Sequence, residues 1–129
     1  MTQTSSFHAV VWLDHHEAQL LHFDAEHVQA ERIKASSRLS RRHGSAVRTE
    51  HEFYAEVCEA LAGIGEVLVT GGSTAQADFR HYVEKHRAAL APHIVGYETV
   101  DHPSDKQLLA LARRFFLRHD RMSGLPTPT

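Results

Sequence analysis

Cysteine is nearly absent: Cys58 is the only one in 129 residues. An internal disulfide is therefore impossible, which excludes the stapled secreted scaffolds and makes the reducing cytoplasm the expected compartment. No apolar run approaches the ~20 residues that span a bilayer, so no membrane partner is expected. The opening MTQTSSFHAV has neither a basic n-region nor a long apolar stretch, and no secretory leader is read from it. Nucleophile elbow, P-loop and dinucleotide fingerprint are all missing. No acid interrupts the basic stretch from Arg32 to Arg48, and that local absence is informative.

Six of the 14 basic residues fall in this stretch: Arg32, Lys34, Arg38, Arg41, Arg42 and Arg48. The other 8 basic residues face all 16 acidic ones. A segment of +6 thus sits on an otherwise acidic chain, although the formal net charge is only −2. Histidine is also abundant, with 12 residues scattered from His8 to His119. Apolar content of 42% and charge of 23% suit one ordinary globular domain. It is expected over residues 7–120, with flexible tails at 1–6 and 121–129.

Apolar patterning gives the order of elements. His8 to Asp14 is apolar on both faces, as in a central strand. After the short polar His15-His16-Glu17, Ala18 to Phe23 reads as its hairpin partner. His27 to Lys34 is a third strand nearer the edge, with Val28, Ala30 and Ile33 loosely alternating. Ala35 to Arg48 has no apolar period and reads as a long surface loop. Thr49-Glu50-His51-Glu52 reads as a capping box opening a helix with Phe53, Val57, Ala60, Leu61 and Ile64 on one face. Gly63 and Gly65 stop it. Glu66 to Thr70 is a fourth strand, and Gly71-Gly72 a tight turn. Ser73 or Thr74 is the expected cap of a second helix bearing Ala75, Phe79, Val83 and Leu90, broken by Pro92. His93 to Val100 is a fifth strand. Ser104 to Gln107 is a second capping box, and the last helix carries Leu108, Leu111, Ala112 and Phe115. The order β-β-β-α-β-α-β-α predicts an α/β fold of ribonuclease H-like outline: a mixed five-stranded sheet ordered 3-2-1-4-5 with three main helices.

That outline raises a metal-dependent nuclease or hydrolase as an alternative function, since such enzymes hold metal ions between carboxylates. Asp14 ends the first strand, and Glu52, Glu56 or Glu59 offers a helix carboxylate. The fourth strand, however, ends in Thr70-Gly71-Gly72, without an acid. Asp14 also suits a turn residue closing the hairpin. Cys58 reads as a small buried thiol. His15 and His16, with His22, His27 or His102, are weak metal-site candidates beside Asp14. No H-x-x-x-H pair supports them, His81 and His86 being five apart. Neither a resident metal nor a cofactor is expected.

Two features suit an anionic polymer. Gly71, Gly72, Ser73 and Thr74 place backbone amides and a helix start at the carboxyl end of a strand, a candidate anion site. Lys34, Arg38, Arg41, Arg42 and Arg48 suit phosphate-backbone contact. No aromatic residue interleaves these arginines, so base stacking is not expected.

Ala9-Val-Val-Trp-Leu-Asp14, two residues, then Glu17-Ala-Gln-Leu-Leu21 resembles the opening hairpin of the middle domain of the eukaryotic/archaeal peptide-release-factor and Pelota family. Phe53 and Tyr54 on the first helix, and Val67-Leu-Val-Thr-Gly-Gly72 with Asp78-Phe79 after it, are similar to the family's apolar strand, Ala-Gly-Pro and Lys-x-x-Phe segment. The likeness runs from about His8 to Phe116. It extends to the short bacterial relatives called translational machinery proteins and to the related host-attachment proteins. Gly72 stands where the family has proline, and Gln76 near where it has lysine. No Gly-Gly-Gln tripeptide occurs, and the stretch holds neither a stop-codon-reading nor a partner-binding third domain. The resemblance therefore implies no release activity. It implies a non-enzymatic, translation-associated module that binds the ribosome or RNA, of the kind used in stress or translation arrest. A protein-interaction domain with no nucleic-acid partner is the further alternative.

Overall fold

The computed structural model describes residues 8–35 and 46–122, with backbone alone for 46–49 and 121–122. Strand β1, His8–Leu13, is buried from Ala9 onward. It lies mid-sheet, so both its faces need apolar side chains. It pairs antiparallel with β2, Glu17–Phe23, through a turn that Asp14 closes. Asp14 Oδ1 accepts from the amides of His16 at 2.7 Å and Glu17 at 2.8 Å. The hairpin-turn reading of Asp14 is thus correct. The same device recurs at Asp24, whose Oδ1 accepts from the amides of Glu26 at 2.8 Å and His27 at 2.7 Å. These amides favour the ionised form and hold the Asp24 carboxyl below its ordinary range. Beyond it runs β3, Val28–Lys34, an edge strand in which Ile33 alone is buried.

The remaining strands join in parallel. After α1, Ala46–Leu61, strand β4, Glu66–Gly71, lies beside β1. After α2, Ser73–His86, and a 3-10 turn, Ala91–His93, strand β5, Ile94–Thr99, lies beside β4. Helix α3, Asp105–Met122, follows. The sheet order is β3-β2-β1-β4-β5, as the pattern of elements implies.

Strand alternation divides the core between two faces. Ala9, Val11, Leu13, Leu20, Val67 and Val69 meet Phe53, Tyr54, Val57 and Leu61 of α1 and Phe79 and Val83 of α2. Val10, Trp12, Leu21, Phe23 and Leu68 meet Leu108, Ala112 and Phe116 of α3. The α3 stripe thus follows an i, i+4, i+8 row, with Leu111 and Phe115 half-buried beside it. Cys58 is buried, as expected, and burial pushes its thiol up to about 11.

Several element ends differ from expectation. Helix α1 begins at Ala46, so Thr49 sits inside its first turn and does not precede the helix. Gly72 occupies the N-cap of α2, with no side-chain cap, so neither Ser73 nor Thr74 performs that role. Helix α2 ends at His86, where the Arg87 amide bonds the Val83 carbonyl at 2.8 Å. Pro92 therefore lies in the later 3-10 turn and does not break α2. The second capping box is present: the Gln107 amide donates to Ser104 Oγ at 3.1 Å, and the Ser104 amide donates to Gln107 Oε1 at 2.9 Å.

Candidate functional site at the carboxyl edge of the sheet

The parallel strands β1, β4 and β5 all finish at one edge, where open α/β sheets commonly bind ligands. Two groups of residues meet there. The first is the glycine turn. Gly71 has φ of 140°, and a Cβ on it would overlap the Leu13 carbonyl. Only glycine lets β4 end this close to β1. The Gln76 side-chain amide lies 2.8 Å from the Gly71 carbonyl, 2.9 Å from the Glu98 carbonyl and 3.1 Å from Thr99 Oγ1. It stitches the turn to the end of β5, a role no local sequence signal announces. Gly72, Ser73 and Thr74 are exposed at the start of α2.

The second group is a cleft of about 230 Å³ between α1 and α2, lined by Glu50, His51, Tyr54, Asp78, His81 and His86 among others. Two of its histidines pack against the Tyr82 ring, His51 at 5.3 Å and His86 at 4.9 Å between centroids. His15 reaches across from the hairpin turn, its Nε2 2.9 Å from Asp78 Oδ2. One ligand atom each of His15, Glu50 and Asp78 lies within 4.8 Å of the others. Tyr54 Oη is buried and has no hydrogen-bond partner among the described residues. Burial, and then the charges of Glu50 and Asp78, push its phenol upward, so it keeps its proton.

The three metal candidates of the sequence separate here. The Asp14 carboxylate is occupied by its turn, His16 is exposed, and His15 turns to Asp78 on α2. Their possible helpers lie apart. His22 Nε2 is 2.9 Å from the Ala60 carbonyl, and His27 is 3.4 Å from Asp24. His102 stacks on Trp12 with centroids 4.0 Å apart. The helix acids named from sequence, Glu52, Glu56 and Glu59, are exposed, and Glu59 pairs with Arg87 at 2.9 Å. At the end of β4, the Thr70 hydroxyl donates to the Val11 carbonyl at 2.9 Å. At this edge Glu50 and Asp78 are the acids that come together, a pairing that requires α1 and α2 to be placed.

Of the basic set, Lys34 is exposed at the end of β3. Arg38, Arg41 and Arg42 lie outside the described residues, as does the Arg48 side chain on α1. Arg32 Nη2 is 3.9 Å from Asp105 Oδ1.

The opposite, amino edge holds a buried polar group of a different kind, formed by His8, Glu66 and Asp120. Burial, and then the neighbouring Asp120 carboxyl, push Glu66 upward. Burial pushes the His8 imidazole downward, against the attraction of Asp120.

No protein-family model matches the chain, and no curated protein matches it. Solved structures do. Pelota of Thermoplasma acidophilum aligns with a TM-score of 0.59 at 16% identity, over 88% of this chain and 32% of its own. Pelota of Archaeoglobus fulgidus, described as having inter-domain structural plasticity, aligns with a TM-score of 0.57 at 15% identity, over 83% of this chain and 30% of its own. The archaeal translation termination factor aRF1 aligns with a TM-score of 0.56 at 11% identity, over 91% of this chain and 42% of its own. The chain spans about a third of the length of the two Pelota proteins. At these identities the likeness is one of fold: the chain folds like a domain-sized part of Pelota and of aRF1.

Proposed function

We propose that the chain is a non-catalytic, translation-associated module of the cytoplasm that binds the ribosome or RNA. The observation that carries this reading is the fold likeness to three translation factors over 83–91% of the chain. The charge pattern supports it. The acid-free segment from Arg32 to Arg48 supplies cations suited to phosphates on an otherwise acidic chain. The exposed amides around Gly72, Ser73 and Thr74 offer a second phosphate contact at the ligand edge. Among the described residues no helix is long and apolar enough to cross a membrane.

Ribosome co-sedimentation tests the reading. The chain is expected in the ribosomal fraction at low salt, with binding that falls as salt rises. The triple variant Arg38→Ala, Arg41→Ala, Arg42→Ala is expected to weaken it and flatten the salt dependence by up to about three contacts. Absence from that fraction at every salt concentration, with no binding to RNA, overturns it.

One observation favours a second reading, a metal-dependent hydrolase: the convergence of His15, Glu50 and Asp78 at the cleft. It predicts cleavage of RNA or DNA that needs Mg²⁺ or Mn²⁺ and disappears in Asp78→Asn. Asp78, not Asp14, is the informative position, because the Asp14 carboxylate belongs to the hairpin turn. No cation-dependent cleavage in the unmodified protein rejects this reading.

A further inference from the structure

We propose that His8, Glu66 and Asp120, with His119 at the rim, bind one divalent transition-metal ion of the zinc class at the amino edge of the sheet. The inference is independent of ribosome binding and concerns the edge opposite the cleft.

Three elements deliver the ligands. The parallel register of β1 and β4 sets His8 beside Glu66. The last turns of α3 bring His119 and Asp120 against them. His8 Nε2 lies 3.0 Å from Glu66 Oε1 and 3.8 Å from Asp120 Oδ2. His119 Nε2 lies 3.8 Å from Glu66 Oε2. Ligands bound tetrahedrally at ~2.0–2.1 Å sit about 3.4 Å from one another. These spacings straddle that edge length, and one ligand atom each of His8, Glu66 and Asp120 lies within 4.8 Å of the others, so these three can converge on one ion with His119 beside Glu66 at the rim. The rings are already oriented. His8 lies 4.3 Å from Phe116 and 5.8 Å from Phe23, and His119 is stacked parallel to Phe115 at 5.8 Å.

A second observation points to a missing charge. Asp120 Oδ1 is buried and has no hydrogen-bond partner among the described residues. Its side chain is only 4% exposed. Leaving such an oxygen unsatisfied carries the full desolvation penalty of the group. The two carboxyls repel each other, Asp120 adding to the upward push on Glu66, and Oδ1 is left without a donor among the described residues. A cation held by the carboxyl removes both costs at once. Two imidazole nitrogens with two carboxylates favour a zinc-class ion over Mg²⁺ or Ca²⁺, which prefer all-oxygen shells. His119, 29% exposed, marks the side from which an ion enters. Bound there, the ion would fasten the starts of β1 and β4 to the end of α3.

The test uses the full chain, stripped with a chelator and titrated with Co²⁺ and Zn²⁺ by calorimetry and visible absorption. One tight equivalent is expected, with the intense Co²⁺ absorption of a tetrahedral site and a higher unfolding temperature. Asp120→Asn, which keeps the side-chain shape, is expected to weaken that equivalent by at least about tenfold. His119→Gln, at the partly exposed rim, should weaken it while leaving the fold measurable by circular dichroism. The double variant His15→Gln, Asp78→Asn should retain it, which separates this site from the cleft and from surface histidines. The proposal is overturned by the lack of a stoichiometric equivalent in the unmodified protein. It is equally overturned if that equivalent survives both Asp120→Asn and His119→Gln, or is lost in the His15 and Asp78 variant.

Discussion

Gly71 and Gly72 are neighbours with opposite tolerance for a methyl group. A Cβ on Gly71 would strike the Leu13 carbonyl at a φ of 140°, whereas one on Gly72 meets nothing within 4 Å. Gly71→Ala should therefore destabilise by more than about 2 kcal/mol, while Gly72→Ala should stay within about 1 kcal/mol. Urea denaturation of both variants measures the contrast, and equal losses would show that β4 relaxes away from β1. Single residues were legible from sequence when their partners were local. Asp14 bonds amides two and three residues on, so its turn role follows from its neighbours. His15 and Asp78 are 63 positions apart, and His8 and Glu66 are 58 apart. Such pairs appear only when register and helix placement are known.

At the scale of the element, the two proposed capping boxes make a controlled comparison. Ser104 exchanges side-chain and backbone hydrogen bonds with Gln107, whereas Thr49 lies within the first turn of α1. Ser104→Ala should cost about 1 kcal/mol of stability, read as a lower midpoint at unchanged m-value, and Gln107→Ala a similar part of it. Both boxes have the right letters. Only the first letter of the second stands where a helix starts, because Pro103 and the extended chain before it leave no room for an earlier turn. Nothing comparable bars α1 from beginning at Ala46. The same limit applies at the other end of α2, where the helix stops before the proline taken as its breaker. Adjacent phenylalanines show what periodicity leaves open. Phe116 enters the core and Phe115 stays half-buried, since the depth of each depends on the rotation of α3 over the sheet.

For the molecule as a whole, sheet order followed from the succession of elements, because few arrangements of three hairpin-linked strands and two crossovers are open to a chain. The division of the core between two faces followed from strand alternation. Stability should also carry a whole-molecule signature at alkaline pH. Burial raises the Cys58 thiol to about 11 and the Tyr97 phenol to about 12, above ordinary values of 9.0 and 10.0. Folding thus favours the protonated forms. Their contribution is complete below about pH 9 and is lost as pH rises through 11 to 12, when the unfolded chain releases protons the folded one retains. The unfolding midpoint is expected to be insensitive to Cys58→Ala in its slope near pH 8. Between pH 9 and 11 it should fall less steeply in that variant than in the unmodified protein. Identical slopes would place the alkaline loss elsewhere.

Among the described residues, helix α3 alone covers Val10, Trp12, Leu21, Phe23 and Leu68, and it follows every described strand. On a ribosome making this protein, the sheet can therefore assemble and receive α1 and α2 while its other face is still bare. Until Leu108, Ala112 and Phe116 emerge from the exit tunnel, that face is an adhesive apolar surface available to chaperones or to neighbouring nascent chains. Helix α3 acts in time as well as in space: its arrival ends the sheet's most vulnerable interval.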